Sequence, residues 1–151
     1  MRRFAGNTRS GRASIAVVCV AQFGVVLDVT IVTTALPAIR PALGFSEAGQ
    51  QWIFTAYALV FGGLLICGGR VADVFGHRRI FLIGLGLFTL ASVGCALAWS
   101  AEALVAARVA QGAGAALLSP AALAMLTTLT MPGEERRRAV GLWTAVAAGG
   151  G

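Results

Sequence analysis

The sequence predicts an all-α fold, a polytopic bundle of transmembrane helices. Three observations lead there. Of the 151 residues, 58% are hydrophobic and 12% charged, with a mean hydropathy of +0.83, far above what water-soluble domains carry. The apolar residues are gathered into runs of about 20 or more, the length an α-helix needs to cross the hydrocarbon core. Those runs lack the period-two alternation of a membrane barrel and are too long for its strands.

The elements follow in order. Residues 1–12 form a basic tail with Arg2, Arg3, Arg9 and Arg12. The first apolar run, Ala13 to Leu36, is longer than the core of a signal peptide, lacks a convincing small-residue cleavage site and precedes further spans, so it reads as a retained helix. Pro37 and Pro41 are expected to mark its end. Further spans are predicted over Gln51 to Gly69, Ile80 to Trp99 and Leu104 to Leu129, and a fifth apolar run opens at Ala139. Only about 13 residues follow Arg138, roughly 20 Å of helix and short of the bilayer core. The expectation is therefore an N-terminal fragment whose C-terminal half is missing, and which is inactive alone.

The charges orient the bundle. All 12 basic residues are Arg and the net charge is +6. The arginines sit between apolar runs rather than along a stripe facing aromatic residues, so lipid rather than nucleic acid is the expected partner. The tail, the second-to-third connection (Arg70, Arg78, Arg79) and the fourth-to-fifth connection (Arg136, Arg137, Arg138) are basic, while the alternate connections offer only Arg40. By the positive-inside rule the N-terminus is cytoplasmic. Trp99 suits the opposite interfacial belt.

Small residues inside the spans, among them Gly62, Gly63, Gly84, Gly86, Gly94, Gly112 and Gly114, predict close helix packing in lipid. Pro120 is expected to bend the fourth span. Cys19, Cys67 and Cys95 each stand alone in an apolar stretch, with neither metal-ligand spacing nor an even count, and read as small buried residues.

Charges within the spans are the functional candidates, because burying them is expensive. Asp28 stands about 15 residues into the first span, roughly 22 Å from the cytoplasmic side. The plainer alternative is a shorter helix that leaves Thr30, Thr33 and Thr34 exposed beyond it. Arg108 lies near the outer end of the fourth span, with Gln111, Gly112, Gly114, Ala115 and Ala116 following. It is either a snorkelling anchor or a partner for Asp28 at similar depth. The stretch Gly69-Arg70-Val71-Ala72-Asp73-Val74-Phe75-Gly76-His77-Arg78-Arg79 suits a tight turn whose Asp73 pairs with Arg or caps a helix, or else a solvated loop. His77 reads as an interfacial substitute for a base. There is no nucleophile with a general base, no phosphate loop and no metal cluster, so no enzyme, metal or cofactor is expected.

These residues carry a family resemblance. Gly69 to Arg79 resembles the cytoplasmic motif of major facilitator superfamily transporters, with Val74 and His77 standing where that motif usually has bases. Leu104, Arg108, Gln111, Gly112, Gly114 and Ala116 resemble the family's fourth-helix motif. The run from Leu27 to Ile39 is similar to the first-helix signature of fourteen-span drug:proton antiporters, with Thr33 in place of the usual Asn, and Trp52 to Leu59 resembles the same branch. The resemblance implies the N-terminal part of a major facilitator fold and a proton-coupled multidrug exporter in a bacterial inner membrane, powered by the proton gradient and taking a small amphipathic or cationic substrate. It implies proton coupling or a cavity role for Asp28, Arg108 and Gln111, and a cytoplasmic gating role for Gly69, Asp73, Gly76, Arg78 and Arg79. Gly112, Gly114 and Pro120 would serve helix packing. The alternatives are a truncated or split membrane module that transports nothing, or a major facilitator transporter of another substrate class.

Overall fold

A computed structural model describes residues 8–130 and 133–148. They form five helices: α1 (Thr8–Ala42), α2 (Gln51–Phe75), α3 (His77–Ala96), α4 (Ala101–Leu129) and α5 (Glu134–Ala148). Four of these, α1 to α4, are long and apolar enough to cross a membrane. Part of the basic tail and the final glycines lie outside the described residues.

Helix α4 is the innermost element. In its most apolar window 56% of the residues are buried, against 22–28% in the other spans, and Ala115, Ala116, Leu118, Ala121, Ala122 and Leu126 have no exposed surface. Most of its packing is against α2 and α3. The reason is size. A methyl group at Gly68 of α2 would stand 2.2 Å from the Ala116 carbonyl oxygen, and one at Gly84 of α3 would stand 2.7 Å from the Leu118 nitrogen. From α4, a methyl at Gly112 would meet the Tyr57 carbonyl oxygen at 2.7 Å, and one at Gly114 the Phe88 nitrogen at 2.6 Å. Backbones that meet this closely gain dispersion contacts without help from a hydrophobic effect that lipid does not supply. Gly62, Gly63 and Gly86, by contrast, face open space, so only part of the glycine content serves helix contact within this bundle.

Several boundaries differ from the sequence reading, each for a local reason. Helix α1 passes through Pro37 and Pro41 and ends at Ala42, because each proline removes one hydrogen bond and the ladder resumes with Leu43 N–H donating to Ile39 (3.0 Å). Helix α2 reaches Phe75, and the expected turn shrinks to Gly76 alone, at φ +94°. Its N–H still donates to the Ala72 carbonyl at 3.0 Å, and α3 begins at once. Helix α4 starts at Ala101, its first turn capped by the Ser100 hydroxyl accepting from Ala103 N–H at 3.2 Å, and continues past Pro120 to Leu129. Helix α5 opens at Glu134 rather than Ala139, supported by a Glu134–Arg138 pair at 2.9 Å one turn apart. The three arginines placed in a connection thus belong to a helix. The cysteines are not buried: Cys67 is exposed and Cys19 and Cys95 partly so.

Outward-facing positions are apolar, among them Val20, Leu59, Ile66 and Leu90, each at least 68% exposed. A water-soluble bundle of this size would not present such a surface. Lipid, or further helices, is its natural covering.

Candidate functional site

Between the four long helices lies a polar cluster built around Arg108. The side chain is wholly buried, as is that of Gln111 one turn later on the same face of α4. Arg108 Nη1 donates to Asp28 Oδ2 of α1 at 2.5 Å and to Gln111 Oε1 at 2.7 Å. Its Nε donates to the Ile53 carbonyl of α2 at 3.1 Å. The Gln111 amide then closes the ring, Nε2 donating to Asp28 Oδ1 at 2.6 Å and to Ser92 Oγ of α3 at 2.7 Å.

Every capacity of Gln111 is used. Its oxygen also accepts from the Cys95 thiol at 3.5 Å, while Ser92 donates its own proton to the Phe88 carbonyl at 2.9 Å. An amide has two donors and two acceptor sites, and here all four are committed. The guanidinium can only donate and the carboxylate can only accept, so the amide's orientation follows from its two charged neighbours. Beneath the guanidinium lies Tyr57, whose ring centroid is 4.5 Å from Cζ.

Charge sets the character of the site. A lone ion at such depth costs several kcal/mol, whereas a hydrogen-bonded pair offsets most of that. Asp28 is the less enclosed member: its side chain keeps 15% exposure against none for Arg108. The helix does not stop there, since α1 continues to Ala42, nearly four further turns, with Thr33 and Thr34 bonding back to the Thr30 carbonyl at 2.8 Å. Asp28 therefore lies within the span, and Arg108 is no snorkelling anchor.

The second constellation sits at the corner between α2 and α3. Asp73 Oδ1 meets His77 Nε2 at 3.1 Å, with side chains 68% and 34% exposed. Arg78 and Arg79 are exposed, and among the described residues neither joins an ion pair. Asp73 thus pairs with the histidine, not with an arginine. Gly69 rests near Pro120, where a methyl would lie 3.8 Å from its Cβ.

The sequence reading named Asp28, Arg108 and Gln111 but missed Tyr57, Ser92, Cys95 and the Ile53 carbonyl. Tyr57 is the sole tyrosine of the chain, and Ser92 and Cys95 share a face of α3 by their spacing of three. Those were the available signals. The carbonyl of an apolar residue leaves none.

Residues 18–151 match the sequence model of the Major Facilitator Superfamily. The chain belongs to the Major Facilitator Superfamily. Among its curated relatives, a cephamycin export protein of Amycolatopsis lactamdurans is 49% identical over 145 residues, 96% of this chain and 30% of that protein. A puromycin resistance protein of Streptomyces alboniger is 51% identical over 136 residues, 90% of this chain and 27% of the relative. A methylenomycin A resistance protein of Streptomyces coelicolor is 43% identical over 122 residues, covering 81% and 26%. The chain thus spans less than a third of the length of these major facilitator relatives.

Proposed function

We propose that this chain supplies the N-terminal helices of a proton-driven exporter of antibiotics or other small amphipathic or cationic compounds. The C-terminal helices that complete the transport path would come from the rest of a longer protein. It would reside in a bacterial cell membrane with its N-terminus in the cytoplasm, and it would perform no covalent chemistry.

One observation carries the reading: a buried arginine neutralised by a carboxylate that, unlike the arginine, keeps part of its surface uncovered. When Asp28 takes a proton, the ion pair is lost and α1 gives up its charged hold on α4. Helix α4 stays fixed to α2 and α3 by backbone contact. Protonation therefore weakens one specific helix contact and spares the others, which is what coupling a proton to a change of shape requires. The names of the relatives, which speak of cephamycin export and of puromycin and methylenomycin A resistance, supply the substrate class. Asp73 and His77, with Arg78 and Arg79 beside them, would act at the cytoplasmic face between the two halves.

The test uses the full-length protein in inverted membrane vesicles. Adding a transported compound should move protons in the wild type, and Asp28→Asn should abolish that movement while the protein still inserts. Proton movement at the wild-type rate in Asp28→Asn would falsify the reading.

A further inference from the structure

The guanidinium of Arg108 carries one nitrogen that the hydrogen-bond network does not use. Nη1 and Nε have acceptors, but Nη2 is sealed from solvent and has none. In lipid such a donor is costly to leave bare. The face of the Tyr57 ring lies against the guanidinium, 4.5 Å from its carbon, and is the remaining electron-rich neighbour. Tyr57 is itself 8% exposed and stacks on Phe61, with centroids 5.9 Å apart and planes within 11°. The register is enforced, because Gly112 brings α4 against Tyr57's own carbonyl.

The ring acts on net charge. With Asp28 ionised, the pair sums to zero and the negative face of the ring gains little from it. With Asp28 protonated, a bare cation faces the ring, and the attraction is largest where water is excluded. We propose that Tyr57 is a positioning residue whose ring holds Arg108 on the α2–α4 side after Asp28 takes up a proton, so that α1 alone is released. This rests on the proton-coupling reading above. The other ionisable group facing the pair is Cys95 on α3, and the charged residues of α5 stand in its opening turns, beyond the far end of α4.

The experiment measures substrate-driven proton exchange against pH for the full-length protein in liposomes. Tyr57→Leu removes the ring and makes protonation of Asp28 less favourable, so a lower pH is needed. The midpoint should move about one pH unit toward acid, while Tyr57→Phe, which keeps the face, should match the wild type. An unmoved midpoint in Tyr57→Leu, or an equal shift in Tyr57→Phe, overturns the proposal. Should Tyr57→Leu fail to fold, phenylalanines of increasing fluorine content at position 57 keep the volume and drain the ring's negative face. The midpoint must then fall stepwise, and a flat series overturns the proposal. Asp28→Asn separates the two ideas. Wild-type coupling in that variant defeats the underlying reading, whereas lost coupling beside a flat fluorinated series defeats the Tyr57 role alone.

Discussion

Asp28 of α1 and Arg108 of α4, 80 positions apart in sequence, meet at 2.5 Å in the interior of the bundle. Among the described residues neither side chain has a second charged partner, so each makes the other's position tolerable.

Arg108→Lys keeps the charge and loses the fork. A lysine cannot reach the Ile53 carbonyl, Gln111 and Asp28 from the same planar set of donors. In the full-length protein the export proposed above should fall at least about tenfold although the protein accumulates normally, as read from compound efflux in cells lacking other exporters. Arg108→Ala goes further and strips the carboxylate of its partner, which should lower unfolding stability in detergent by about 3 kcal/mol.

Gln111→Leu preserves approximate volume while stranding groups on α1 and α3. Loss of its bonds to Asp28 and Ser92 should cost about 1–3 kcal/mol. Ser92→Ala, which removes one acceptor from a half-buried site, should cost less than half as much. Equal losses in the two variants would show that the amide is not the hub of the cluster.

Gly68→Ala drives a methyl into the Ala116 carbonyl and should destabilise the helix pair by about 1–3 kcal/mol. Gly63→Ala, in the same helix with open space before it, should be neutral or mildly stabilising, since alanine favours helix by roughly 1 kcal/mol. Unfolding by increasing amounts of a harsh detergent distinguishes them.

Gly76→Ala tests the corner. At φ +94° a Cβ is strained by about 1–2 kcal/mol, even though nothing lies within 4 Å of it. The same detergent titration should show that loss, and His77→Ala should show at most a few tenths, because its pair with Asp73 is largely exposed.

How much of this was legible beforehand depends on the kind of force involved. Hydropathy placed α1 to α4, because crossing a membrane demands length and apolarity, both of which a sequence displays. It misjudged the ends. Pro41 lies inside α1, and Phe75 extends α2 nearly to α3, since near the bilayer surface a helix loses little by continuing. Asp28 and Arg108 stood out through their expense in lipid. Their meeting did not, because it depends on how Gly68, Gly84, Gly112 and Gly114 set the helices against one another, and spacing along a chain carries no angle between helices. Asp73, for which an arginine partner, a helix cap and a solvated loop were all open, pairs with His77, the residue one turn away on the other side of Gly76.

The order of synthesis gives the Asp28–Arg108 contact a further meaning. At ribosomal speeds of about 5–20 residues per second, Arg108 is made roughly 4 to 16 seconds after Asp28. During that interval the newborn first helix holds an acid with no counter-ion, which a bilayer resists by about 2.5–3.5 kcal/mol when the group is charged and central. The acid must wait as its neutral form or remain sheltered at the insertion machinery. Delivery of the fourth helix then seals the first one into place, which makes correct assembly of α1 a late event in the birth of the chain.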